Sequence, residues 1–163
     1  MTLSLNHVHD DVEHGWFVIL TIARFQMKMS DQFLAYLLLR LTIGINFVFH
    51  AIPRFFKGVG GFRDKMVADF SQTPLPSFMV YGFGTALTYL ELIVGLLLTI
   101  GLFTRATAVA GSLLMITLMV GTSFQQKWDV VASQLIYSLI FFTLVWTHQS
   151  NFYSVDRMML GKD

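Results

Sequence analysis

A chain of 163 residues that is 55% hydrophobic and only 13% charged lies far from a soluble domain, in which roughly a quarter of residues carry charge. Its mean hydropathy of +0.62 leaves too little polar surface to wrap a core of this size in water. The formal charge of +1 and the lack of a basic run point away from nucleic acid, and the absence of cysteine excludes disulfides, thiolate nucleophiles and Cys-based zinc or iron–sulfur ligation.

The N-terminus carries His7, His9, Asp10, Asp11 and Glu13 where a secretory signal needs positive charge. With His14, these groups are spaced too irregularly to preorganise a metal site, so a solvated tail with no metal is expected. The apolar run Trp16 to Ala23 is too short to span a bilayer and is followed by Arg24 and Lys28, which marks an interfacial or partner-docking segment. Residues 1–31 are therefore set apart from a membrane domain of residues 32–163.

Crossing the hydrocarbon takes about 20 apolar residues in a helix. The first such stretch runs from about Phe33 to Ile52 and is expected to stop before Pro53, which lacks an N–H and restricts its predecessor. Next, Gly58-Val59-Gly60-Gly61 followed by Phe62, Met66, Val67 and Phe70 reads as a hinge into a short amphipathic helix on the membrane surface. The second span runs from about Phe78, just beyond Pro74 and Pro76, to Ile100, with Gly101 as its C-terminal cap. The third covers about Phe103 to Phe124 and is rich in small residues that permit close helix approach; Met115 and Met119 within it are expected to pack rather than to bind copper. The fourth covers about Val130 to Thr147, with Trp128 and Trp146 at its ends as interfacial anchors. The fold class is thus all-α: an integral membrane four-helix bundle with a short amphipathic helix between the first and second spans.

Four crossings put both termini on one side, here side A, and the two odd-numbered loops on side B. Side A carries Arg24, Lys28, Arg105, Arg157 and Lys162, and side B carries Arg54, Lys57, Arg63, Lys65 and Lys127. That tie leaves orientation open under the positive-inside rule.

An ionisable group inside a span is costly unless it is paired or faces the bundle interior. Arg40 in the first span and Glu91 in the second lie roughly 9 Å and 13 Å from the side A end, at 1.5 Å per residue, which matches them as a buried ion pair. Tyr81, Gly84, Thr88, Glu91 and Gly95 share one helical face, whose glycines would admit a neighbour carrying Arg40 and Gly44. A structural pin and a functional carboxylate are both open readings of this pair. Toward side B, Asn46 and His50 on the first helix, Tyr81 and Thr85 on the second and Gln134 and Tyr137 on the fourth lie at similar depth. A histidine among such donors, with aromatic residues nearby, suits a quinone carbonyl and its proton. Interfacial anchoring is the plainer alternative. His50 and His148 fall at opposite faces of the bilayer, so haem ligation by this chain alone is not expected.

Leu38-Leu39-Arg40-Leu41-Thr42-Ile43-Gly44, the Phe49-His50-Ala51 turn before Pro53, the run Leu90-Glu91-Leu92 through Gly95, Gly101-Leu102-Phe103-Thr104-Arg105, and Tyr153-Ser154-Val155-Asp156-Arg157 together carry a resemblance. Over roughly Phe33 to Leu160 the chain resembles the DoxX family of small four-helix prokaryotic membrane proteins, which includes DoxD-like subunits of thiosulfate:quinone oxidoreductase. The resemblance implies a multi-pass protein of a bacterial or archaeal plasma (inner) membrane and points to Arg40, His50, Glu91 and Arg105. The chain departs from the family pattern in its segment Met1 to Asp31 and in Ala51 and Arg54, where many members would show glycine and lysine. Two functions follow as expectations. One is a redox-associated membrane subunit that binds quinone near the first loop. The other is a non-catalytic accessory or assembly subunit held by its N-terminal segment to other subunits of a membrane complex. A small-solute transporter is disfavoured, since neither inverted repeats nor broken helices are evident.

Overall fold

The computed structural model describes residues 3–159, and the side chains of residues 29–159. In chain order the elements are α1 (Leu3–Lys57), α2 (Val59–Asp69), α3 (Ser77–Ile100), α4 (Thr104–Phe124), α5 (Trp128–Trp146), a 3₁₀ turn at His148–Ser150 and α6 (Val155–Met159). Among the described residues there is no strand, and four stretches are long and apolar enough to cross a membrane: Met29–Lys57 of α1, and all of α3, α4 and α5. The all-α bundle with its short connecting helix is therefore as expected. Both tryptophans stand exposed at the two ends of α5.

Helix limits differ from expectation in two places, each with a local cause. Helix α1 does not stop before Pro53 but carries it in its interior and continues to Lys57. A proline there removes one hydrogen bond and crowds the preceding turn, at a cost of about 3 kcal/mol. The last turn gains compensating contacts: Phe55 packs edge-on to Tyr89 at 5.4 Å between centroids, and the Arg54 guanidinium sits 3.9 Å over the ring of Phe62. Helix α4 starts at Thr104 because Phe103 takes a left-handed conformation, φ 48. At the other end of α1, the boundary drawn at residue 31 falls inside the helix. The side chains of Trp16 to Ala23 and of the tail histidines lie outside the described residues.

Helices α1 and α3 form the tightest seam. A Cβ on Gly95 would stand 2.7 Å from the Val48 nitrogen and 2.8 Å from the Gly44 carbonyl oxygen, so the two backbones meet where neither has a side chain. Between α4 and α5, Gly111 leaves the place that the Phe141 ring occupies. Tyr36, Ile43, Phe47, Leu87, Val94, Leu98, Leu114, Met115, Phe141 and Leu144 fill the centre. Helix α2 turns back onto α3 after Gly58, whose φ of 91 only glycine adopts readily, and lays Phe62 and Met66 against this core. Outward, Leu38, Ile45, Ile93, Leu113, Ile136, Leu139 and Phe142 are exposed. Such a continuous apolar surface is stable only in lipid.

Candidate functional site

The end of α1 brings a charge into the middle of the bundle. Arg54 pairs with Glu91 through Nη1 and Oε2, with both side chains largely withdrawn from the surface. Glu91 thus pairs with Arg54 and not with Arg40, which corrects the expected pin. Matching depths from the first apolar residue of each span placed Arg40 too deep, because α1 has no end at Phe33 from which to count. The seam of Gly44 against Gly95 and Thr99 sets the register, and it carries Arg40 past Glu91 to the C-terminal end of α3. Arg54 was hidden by reading Pro53 as a stop. One turn before Glu91, Thr88 is fully buried and its hydroxyl has no hydrogen-bond partner among the described residues.

The residues expected to surround a quinone are not gathered into one pocket. His50 is exposed, and its Nδ1 lies 2.9 Å from the Asn46 carbonyl oxygen one turn earlier in α1. The Asn46 side-chain oxygen is buried without a hydrogen-bond partner among the described residues. The Tyr81 hydroxyl accepts a 2.8 Å hydrogen bond from Arg63 of α2, whose guanidinium also stacks over the Tyr81 ring. Tyr137 presents an edge to Phe47. Gln134 is buried on α5, its Oε1 2.7 Å from the Thr122 hydroxyl of α4. That hydroxyl also lies 2.9 Å from the Leu118 carbonyl oxygen and 3.2 Å from that of Met119, and its single proton serves one of the three acceptors at a time. Equal depth put these groups in one layer. Helical phase sent them in different directions around it.

What the same layer does contain is a cavity of about 400 Å³ between α2, α3 and α4. Met66 of α2 and Phe70 just beyond its end, Met79 and Phe83 of α3, and Ile116 and Val120 of α4 form its apolar wall. Thr117, Gly121 and Thr122 line the α4 side, so the Thr122–Gln134 contact backs the cavity with a polar group. Residue by residue these are ordinary membrane-helix side chains, and nothing in the sequence marks them as a set.

At side A a second polar group forms a clasp. Arg40 is buried and donates to the Leu98 carbonyl at 3.0 Å and to the Tyr153 carbonyl at 2.7 Å, joining the end of α3 to the C-terminal segment. Gly101, at φ 74, makes room for it: a Cβ there would lie 1.8 Å from Arg40 Nη1. Asp156 takes hydrogen bonds from both first amides of α4, Oδ1 from Phe103 at 2.6 Å and Oδ2 from Thr104 at 2.7 Å, while its own N–H donates to the Gly101 carbonyl. Two N–H groups left unsatisfied by the helix thereby meet a carboxylate at the positive end of the helix dipole. The Tyr153 to Arg157 run noticed in the sequence is thus a strap across the α3–α4 turn. Arg105 lies just beyond it and is exposed.

These features define a multi-pass membrane protein: four spans, a glycine seam between α1 and α3, an ion pair inside the bundle and a strap at side A. A family model described as DoxX matches residues 35–124, more than half of the 163-residue chain, and the protein belongs to the DoxX family. No match is found among curated proteins or among solved structures.

Proposed function

We propose that this DoxX-family protein is a membrane subunit serving a redox complex, and that it holds an isoprenoid quinone in the side B cavity between α2, α3 and α4. The observation that carries this reading is the cavity itself. Its volume of about 400 Å³ falls within the roughly 300–1,000 Å³ usual for small-molecule sites. Its walls suit an apolar ring and the start of a prenyl chain, and the exposed residues Ile116 and Val120 lead from it toward lipid. Thr122 lines the wall with Gln134 behind it, and its hydroxyl, turned away from Gln134, would supply the polar contact for a carbonyl oxygen. At the same α2–α3 junction, Arg63 and Tyr81 form a hydrogen-bonded couple from which a proton could pass. The electrons would come from a cofactor on a partner subunit, and the chain's part is to seat and orient the quinone. Purification in mild detergent followed by extraction tests this: the expected result is about one quinone per chain. A preparation free of quinone, with no affinity for a short-chain benzoquinone analogue, would reject the reading.

A second reading, an accessory subunit without a ligand, is favoured by one specific observation. Arg40, Glu91, Gln134 and Tyr81 each spend their polar atoms on another part of the bundle. On this reading the N-terminal segment grips a larger partner, and a chain lacking Met1 to Ser30 should come away from its complex in a native pull-down. Continued association of the truncated chain would remove the segment as the anchor.

A further inference from the structure

A larger cavity, about 800 Å³, opens at the side A end of α4 beside the strap. Its polar side is formed by Arg105, Arg157, His148 and Asn151, and its apolar side by Phe103, Ala106 and Val109. Asp156 also lines it, but both of its carboxylate oxygens are engaged by the Phe103 and Thr104 amides. The carboxylate keeps its charge but is turned to the start of α4, and against it the cavity lining carries the guanidinium groups of Arg105 and Arg157. Arg157 is set in place by its backbone bond to the Ser154 hydroxyl and by lying 5.5 Å over the Phe152 ring. Arg105 is exposed, and among the described residues it has no hydrogen bond or ion pair.

The level of this cavity in the membrane limits what can enter it. It surrounds the first turn of α4, where the span begins, and the end of α5, where Trp146 is 74% exposed, as an interfacial aromatic is. A ligand there meets water and headgroups on one side and acyl chains on the other. Arg105 stands on the first side, while Ala106 and Val109 are exposed one residue and about one turn farther along α4. A basic pocket against spanning helices at headgroup depth is suited to an anionic lipid. We propose that this cavity binds an anionic phospholipid, its phosphate held by Arg105 and one acyl chain laid along Val109. A guanidinium group binds phosphate oxygens through paired, charge-assisted hydrogen bonds.

Native mass spectrometry of the full chain in detergent, supplied with phosphatidylglycerol or with phosphatidylcholine, tests the assignment. Phosphatidylglycerol should remain bound under activation that strips phosphatidylcholine. Arg105→Gln should lower its occupancy about fivefold, the effect of one basic side chain close to an anionic surface, while Lys127→Gln on side B should leave it unchanged. Arg105 is exposed, so the variant is expected to keep the parent melting temperature, which is measured alongside. Equal retention of the two lipids, no loss in Arg105→Gln, or an equal loss in Lys127→Gln would overturn the proposal. Displacement of the lipid by millimolar inorganic phosphate would assign the cavity to a soluble phosphate and overturn it as well.

Discussion

Among the described residues Glu91 has one ion-pair partner, Arg54, and its removal has a calculable consequence. Truncating one member of a buried ion pair leaves the other charge uncompensated and typically costs about 3–5 kcal/mol, whereas replacing both by apolar groups of similar size is often nearly neutral. Arg54→Ala is therefore expected to lower the thermal midpoint in detergent sharply, and the double variant Arg54→Met with Glu91→Leu to recover most of the loss. Equal losses in the single and double variants would mean that Arg54 acts by packing on Phe62 rather than by charge. Gly101 is as constrained, because its φ of 74 and the guanidinium of Arg40 both forbid a side chain. Gly101→Ala should cost more than about 1 kcal/mol, the usual scale for a side chain forced to positive φ. Sequence reading reached both sites halfway. Arg40 and Glu91 stood out because a charge in an apolar run is conspicuous. Their partners did not, since Leu98 and Tyr153 contribute only carbonyl oxygens, and Arg54 lies beyond a proline that ordinarily ends a helix.

Among the elements, α4 depends most on a distant residue. Its first two available amides are held by Asp156, 53 and 52 positions away in the chain. Loss of a capping carboxylate costs about 0.5–2 kcal/mol, and the effect should stay local. Asp156→Ala is thus expected to speed hydrogen exchange at the Phe103 and Thr104 amides and along the first turn of α4, with little change in α5. Uniform acceleration through all four spans would instead make Asp156 part of the global fold. The spans themselves were legible because a run of about 20 apolar residues has few alternatives to a membrane helix. Their ends were less so. Propensity places a stop at Pro53, but the contacts of Arg54 and Phe55 extend the helix through it. Similarly, Phe103 is a good span residue by hydropathy, yet it is drawn into a left-handed turn by the bond to Asp156.

For the molecule as a whole, the seam between α1 and α3 and the cavity between α2, α3 and α4 place opposite demands on glycine. Gly95 at the seam is needed because two backbones touch there, and the pattern of small residues announced it in the sequence. Gly121 at the cavity wall has space beside it: its Cβ would meet nothing nearer than the Phe70 ring at 3.4 Å. The cavity could not be read from the chain, because three helices build it from residues identical in kind to those that face lipid. Two substitutions that add the same bulk therefore separate folding from binding. Gly95→Leu should part α1 from α3 and lose the folded bundle, detected as aggregation in size-exclusion chromatography. Gly121→Leu should leave the bundle intact, with a midpoint within a few degrees of the parent, while growing toward Phe70 and filling the space that a quinone ring would take. Its quinone content should fall at least about tenfold, a difference of roughly 1.4 kcal/mol in binding. If Gly121→Leu folds and retains its quinone, the ligand sits elsewhere and the cavity is not its site.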